Sequence, residues 1–453
     1  MPLARTQMNF PRWACLAAAL GALTPSAQAQ SLVELTERAR GFDAIWQARQ
    51  AETDAAYSRA EQARAGLLPS VGLQAGVSRA RTEISRPAFT LNATTQTAAL
   101  NASQPLYRPA NRIAFTQGQR GYELALAQRD AAEQDLIVRT SQAYFDVLGA
   151  EDSLRYVRAQ KTAVAEQRAF AQRNFDVGNA TITDFREAQA RHDLIVAQEI
   201  ASENELRVKR LALEQLVGVP GAQPLPLAQP VALPPLLPAD PQAWVDVSQD
   251  TQPQLRQAQL ALDVARLETR KAETGHLPTV DLQAGYSVNN YPQGSITIPQ
   301  NGYRVQGASV GVQLNMPLFA GFSVQNRVKE TLALESKAEA DLDQARRSVA
   351  QATRTAFYGV QSGQGQIKAL ETAEASSQSA LDANRLGYEV GVRVNIDVLN
   401  AQSQLYQTKR DLALARYQVI LGQLKLRQAA GTLSSDDLQA VNALLASGPT
   451  PAN

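Results

Sequence analysis

In 453 residues there is one cysteine, Cys15, and there are two histidines, His192 and His276. Beyond residue 15 the chain therefore has no thiol for a disulfide, a nucleophile or a metal. The two histidines have no carboxylate cluster at ligand spacing, so no metal site is expected and both read as solvated residues, His192 on a helix face and His276 at the start of a strand. Aromatic residues are only 6%, which argues against a large aromatic-rich core. Neither charge sign dominates: 44 Lys and Arg against 43 Asp and Glu leave a formal net charge of +1. That balance excludes the basic face a nucleic-acid partner requires, and it excludes a strong steering field. No P-loop, nucleophile elbow or HExxH is present. Gly363-Gln364-Gly365 lacks a third glycine and interrupts a helical pattern. No catalytic residue, cofactor or enzymatic activity is expected.

What is present begins with an export signal. Arg5 and Arg12 form a positive start, Trp13 to Leu23 is a short apolar stretch, and Ala27-Gln28-Ala29 is a cleavage site. Residues 1–29 thus read as a signal peptide, with the mature chain starting near Gln30. Cys15 lies inside it, preceded by Arg12 and Trp13 where a lipid-anchor signal would be apolar, so acylation is not expected. No later run of about 18 apolar residues marks a membrane helix. An exported chain of this kind is either soluble outside the cytoplasm or a membrane β-barrel.

The chain also repeats itself. GLLPSVGLQAG at residues 66–76 returns as GHLPTVDLQAG at 275–285. Ala143-Tyr144-Phe145-Asp146-Val147 returns as Ala356-Phe357-Tyr358-Gly359-Val360, and Phe175-Asp176-Val177-Gly178 as Tyr388-Glu389-Val390-Gly391. The order is kept at an offset of about 210 residues, far too long for a solenoid repeat, so this is a duplicated unit. The first repeat covers 30–217 and the second 242–431. Residues 218–241 hold eight prolines and read as an extended connector; 432–453 is a C-terminal tail ending in the disordered-looking SGPTPAN.

Each unit has one grammar. A helix (34–64, then 253–273) leads through Leu-Pro into an alternating segment, a loop, a second extended segment and Pro-Leu-aromatic. Two long helices follow, 111–176 and 183–217 in the first repeat, 322–388 and 396–430 in the second. The strands are expected at about 68–78, 92–104, 279–289 and 304–316, with 79–91 and 289–302 as exposed loops. Val280, Leu282, Ala284, Tyr286 and Val288 alternate with Asp281, Gln283, Gly285, Ser287 and Asn289, a period of two. Such segments suit a soluble amphipathic sheet or a membrane strand of about 9–11 residues. In a membrane, four strands cannot close a barrel, because the smallest need about eight and open edges are not tolerated in lipid. The membrane reading therefore requires an oligomer sharing one barrel.

The stretch 111–176 has no proline, and as one helix it would be roughly 100 Å long. Only partners running alongside can cover it. In the last helix Val398, Leu405, Leu412, Val419 and Leu426 fall seven apart, with Ala401, Thr408, Ala415, Gly422 and Ala429 three residues beyond each. Large aliphatics facing small residues favour close helix approach. The first unit is less regular, with His192 and Glu199 at two of the matching large positions.

The duplicated helix–strand–strand–helix–helix unit resembles the TolC family of outer-membrane efflux and secretion ducts over about residues 30–440. The most specific stretch is Tyr388-Glu389-Val390-Gly391-Val392-Arg393-Val394-Asn395-Ile396-Asp397-Val398-Leu399-Asn400-Ala401, with Ile182-Thr183-Asp184 its first-unit counterpart. The resemblance implies a homotrimer whose chains each give four strands to a 12-stranded barrel in the outer-membrane lipid of a Gram-negative bacterium. A helical coiled-coil barrel would continue it through the periplasm. It further implies a tip that is closed at rest and opens when a periplasmic adaptor and an inner-membrane ABC or RND-type transporter dock.

Carried onto this sequence, the resemblance places Asp397 at the narrowest ring, with Asn400 where the family type member has a second acid. Tyr388 and Arg393, with Thr183 and Asp184, would make the contacts that keep the tip closed. Val177, Gly178, Val390 and Gly391 would form the turns on which the adaptor docks. Helix capping is the competing role: Asp184-x-x-Glu187 is a capping-box-like pattern, and Asp397 could cap its own helix. At the level of the whole protein, the competing reading is a periplasmic coiled-coil scaffold or adaptor. The cargo is not encoded in any recognisable motif.

Overall fold

The computed structural model describes residues 30–446 apart from 87, 179–180, 229, 231–232 and 299–300. The signal segment 1–29 and the terminal SGPTPAN lie outside the described residues. The first repeat opens with α1 (Leu32–Phe42) and α2 (Ala44–Ala65), then β1 (Ser70–Ser85) and β2 (Ala88–Tyr107), then α3 (Pro109–Asp176) and α4 (Ile182–Val217). The second has α5 (Pro241–Thr251), α6 (Pro253–Glu273), β3 (Thr279–Tyr291), β4 (Tyr303–Asn315), α7 (Ser323–Glu389) and α8 (Asn395–Ala430), followed by α9 (Ser435–Asn442).

The single helix expected over 34–64 is two. Asp43 breaks it, with ψ 116°, and its carboxylate accepts the Trp46 amide as the N-cap of α2. The side chain is anchored by Arg139 of α3, which donates to both carboxylate oxygens at 2.8 and 3.2 Å.

The strands form one antiparallel sheet in the order β1-β2-β3-β4. Its register aligns Val71, Ala102, Ala284 and Val310 in one row and Leu73, Leu100, Tyr286 and Ala308 in the next row on that face. The opposite face carries Gly72, Asn101, Gly285 and Ser309, then Ser70, Ser103, Gln283 and Gly311. Apolar and small-polar faces are thus continuous across all four strands, as the period of two requires. The apolar face is bare within one chain: Leu73 and Val310 are each 78% exposed. β1 and β2 run further than expected. Residues 79–85 and 88–91, read as part of a loop, are strand, because the alternation continues with polar residues such as Arg81 and Glu83. Tyr291 and Tyr303 stack at the outer end with centroids 4.8 Å apart, and exposed Leu318, Phe319 and Phe322 surround the helix end. Aromatic residues at both ends suit the two membrane–water interfaces.

The joint between helix and strand is fixed by polar bonds. Arg108 at the start of α3 makes a bidentate pair with Asp281 of β3, at 2.7 and 2.6 Å. Asn111 donates to the Gly66 carbonyl at 2.6 Å.

α3 has 68 residues and α7 has 67, each about 100 Å long. α2 packs along the strand end of α3 and α4 along its other end; α6 and α8 do the same for α7. The heptad positions Val398, Leu405, Leu412, Val419 and Leu426 are all buried. Gly363-Gln364-Gly365 does not interrupt α7, which continues through it. Gly363 faces Val419, where a Cβ would come within 2.6 Å of a methyl, so the small residue permits close approach. The α3–α4 seam uses charge instead: Glu199 bridges Arg158 and Lys161, and Lys209 pairs with Asp146. His192 is not solvated as expected, since its side chain is 16% exposed. Among the described residues no helix is long and apolar enough to cross a membrane.

The main core lies midway along the helices. Leu32 and Leu35 of α1, Tyr144 and Phe145 of α3, Leu213 of α4 and Leu424 of α8 meet there with Leu438 of α9. Parts of the connector and the tail pack against this core. Gln30 bridges to Pro224, Leu227 bridges to Leu445, and the buried Tyr144 hydroxyl donates toward the Gln30 and Leu225 carbonyls. These segments form a collar around the helices.

Candidate functional site

At the far end from the sheet, each long helix turns by the same device. α3 ends at Asp176, and Val177 leads into Gly178 at φ +82°. α7 ends at Glu389, and Val390 leads into Gly391 at φ +80°. A left-handed residue after a helix terminus reverses the chain, and glycine takes it without a Cβ penalty. The amides of Val392 and Arg393 both return to the Gly387 carbonyl, closing the second turn. The apices leave Val177, Val390, Val392 and Val394 exposed.

α4 starts with a reciprocal capping box. The Thr181 hydroxyl accepts the Asp184 amide at 3.3 Å, and the Asp184 carboxylate accepts the Thr181 amide at 3.0 Å. Thr183 joins through its hydroxyl, 2.5 Å from that of Thr181. The box is therefore Thr181-x-x-Asp184, one turn earlier than the pattern Asp184-x-x-Glu187. α8 has no side-chain cap. The Asp397 carboxylate instead faces Arg393 at 3.6 Å, one turn before it.

Other expected site residues divide between neighbourhoods. Tyr388 packs edge-on against Phe170 of α3, centroids 5.9 Å apart. Burial pushes its phenol pKa up; a hydrogen bond with Asn174 opposes this and the nearby Asp184 carboxylate adds to it. Tyr388 thus lies beside the first-repeat hairpin, whereas the paired Arg393 and Asp397 belong to the second. Asn400 accepts from Nη2 of Arg191, on α4, at 2.8 Å.

Two residues that sequence reasoning passed over bind the repeats together here. Asn395 is fully buried: its Nδ2 donates to the Asp184 carbonyl at 3.2 Å, and its Oδ1 accepts from Gln167 of α3. Arg191 is the second, through Asn400. One signal pointed to Asn395. It shares a heptad position with Gln402, which is also buried and whose Oε1 has no hydrogen-bond partner. Around them, Val157, Val164 and Ala171 of α3, Ala188 and Ile195 of α4 and Leu399 of α8 form a small apolar core.

A sheet with two unpaired edges and a bare apolar face, continued by helices about 100 Å long that turn at paired tips, defines one subunit of a membrane channel with a helical tunnel. The family described as outer membrane efflux protein matches residues 43–219 and 244–432, one match per repeat, and the chain belongs to that family. It is 34% identical over 430 residues to outer membrane protein TolC of Vibrio cholerae, covering 94% of this chain and 97% of that one. It is 35% identical over 360 residues to alkaline protease secretion protein AprF of Pseudomonas aeruginosa, covering 78% and 73%. The solved CmeC outer membrane channel of Campylobacter jejuni superposes with a TM-score of 0.78 at 16% identity, covering 97% of this chain and 98% of that one. The protein is an outer-membrane channel, with four barrel strands per chain and a long periplasmic helical tunnel.

Proposed function

We propose that three copies of the chain form the exit duct of a tripartite efflux or type I secretion system. The observation that carries this is the sheet: four strands, two free edges and a continuous exposed apolar face. Open edges have no place in lipid, and three such sheets joined edge to edge make a barrel of about 12 strands. The duct is passive. It conducts cargo received from an inner-membrane ABC or RND-type transporter and a periplasmic adaptor, and it does no chemistry on that cargo. The relative named for alkaline protease secretion supports polypeptide among the cargo.

Asp397 and Asn400 form the constriction in this reading. Tyr388, Arg393, Thr183 and Asp184 hold the tip closed, and the turns at Val177, Gly178, Val390 and Gly391 receive the adaptor. The exposed valines at those apices support a docking role, since clustered exposed aliphatics mark interaction surfaces. A free adaptor or scaffold has no use for the bare apolar sheet, which disfavours that alternative.

Electron microscopy of detergent-extracted protein tests the assembly. A threefold rod with a helical part of about 100 Å is expected; a monomeric or compact particle refutes it. In planar bilayers, Asp397→Ala is expected to raise single-channel conductance, and an unchanged value removes Asp397 from the constriction.

A further inference from the structure

We propose that Arg191 sets the charge of the narrowest level of the duct and makes it favour anions over cations. This rests on the assignment of Asp397 and Asn400 to the constriction. Arg191 reaches from α4 to α8, where its Nη2 donates to the Asn400 Oδ1 at 2.8 Å. The asparagine thus holds a guanidinium where an acidic residue would hold a carboxylate. No carboxylate among the described residues lies within ion-pair distance of Arg191. Glu187, one helical turn away, does not reach it, and Asp193 faces His192 instead, at 3.4 Å.

One turn earlier on α8, Asp397 is matched by Arg393 at 3.6 Å. Of these two contacts only the pair of Arg393 with Asp397 is balanced in charge; Arg191 meets a neutral partner. A guanidinium stays charged at every relevant pH, so the unmatched positive charge of Arg191 is permanent. The adjoining cleft between α3, α4 and α8, about 300 Å³, continues the pattern. Arg191, Arg410, Gln160, Gln198, Ser403 and Tyr406 are among its lining residues, and none of its lining residues is acidic. Arg410 is itself paired with Asp411, which leaves Arg191 as the uncompensated charge.

Removing three unit charges about 10 Å from a pore axis, at a Debye length of about 10 Å, changes the local concentration of a monovalent ion about twofold and the cation-to-anion ratio about fivefold. The test is the reversal potential of the purified full-length channel in planar bilayers under a potassium chloride gradient. Arg191→Gln is expected to raise the potassium-to-chloride permeability ratio about fivefold. Arg191→Lys, which keeps the charge but not the fork, is expected to retain the parent ratio. Asp397→Asn, measured alongside, is expected to lower the ratio. If Arg191→Gln leaves the ratio unchanged while Asp397→Asn moves it, the role of Arg191 is overturned and the constriction stands. If neither moves it, both assignments fail. If only Arg191→Gln moves it, Asp397 is not at the constriction and the placing of Arg191 at the narrowest level is overturned with it. Trimer integrity on native gels accompanies each variant.

Discussion

Replacing Asn395 with alanine isolates the contact that ties the two repeats at the tip. The side chain is fully buried and bonds both helices of the first hairpin, the Asp184 carbonyl at the start of α4 and Gln167 on α3. Alanine removes both bonds without adding bulk. Two neutral buried hydrogen bonds contribute about 1–3 kcal/mol together. In an opened tip, water satisfies the same groups, so the loss falls on the closed state alone. A shift of about 2 kcal/mol changes the closed-to-open ratio about 30-fold in each chain. Single-channel recording reads this as a larger open fraction or a higher mean conductance. Thermal melting reads the rest of the molecule, and there the effect is expected to be small, because the main core lies midway along the helices. An intact Asn395→Ala trimer with the parent conductance and dwell times would refute the reasoning, since the contact would then not hold the tip closed.

Two further outcomes follow from ionised groups outside the sheet. Burial raises the pKa of Glu268 on α6, but hydrogen bonds from Gln117, Arg327 and Lys271 outweigh this and lower it to about 2, against 4.5 for the free side chain. Its stabilisation is therefore present above about pH 4.5 and lost as the pH falls toward about 2; Glu268→Gln is expected to cost about 1–2 kcal/mol at neutral pH after solvent screening and to flatten the acid limb of a stability–pH profile over that window. The hydrogen bonds of Arg139 hold the Asp43 carboxyl below its usual range. Asp43→Ala removes the α2 cap as well as that pair and is expected to cost about 2–4 kcal/mol in denaturant melting, with Asp43→Asn intermediate because it keeps a capping oxygen; equal stability of the two variants would show that only the pair with Arg139 matters.

The long-period features of the fold were legible because they rest on local rules repeated many times. The duplication and the heptads of α8 are periodic over tens of residues, and the apolar row from Val280 to Val288 alternates without a fault. What was not legible came from single residues or from contacts distant in sequence. One aspartate divides α1 from α2, because Asp43 finds a partner 96 residues away in Arg139. The outer halves of β1 and β2 alternate in geometry but not in hydrophobicity, so a pattern of apolar residues could not register them. The collar depends on bridges such as Leu227 to Leu445, which no local motif announces. At the tip, the turns were visible in Val-Gly, whereas Asn395 and Arg191 acquire their roles only when residues 211 and 209 positions apart are brought together.

That difference extends along the seam between α8 and the first repeat. Toward the collar, Tyr417, Ile420, Leu421 and Leu424 are buried against α3, and the Tyr417 hydroxyl donates to Asp152 at 2.8 Å. Each such side chain contributes about 1.5–3 kcal/mol through burial, which separation would lose to water outright. Toward the tip, the contacts are Asn395 with Gln167 and Asp184, Asn400 with Arg191, and Ser403 with Gln160. Those groups exchange one hydrogen-bond partner for another when water enters, at about 0.5–1.5 kcal/mol each. Gln402 acts in the opposite direction, because its buried Oε1 has no partner and would gain one on hydration. Leu399 is the main apolar contact opposing separation in that half. The same helix is therefore bonded firmly where it meets the collar and weakly where it meets the tip, with the change falling between Ser403 and Tyr417. A wall built this way can part at its end without loosening at its middle.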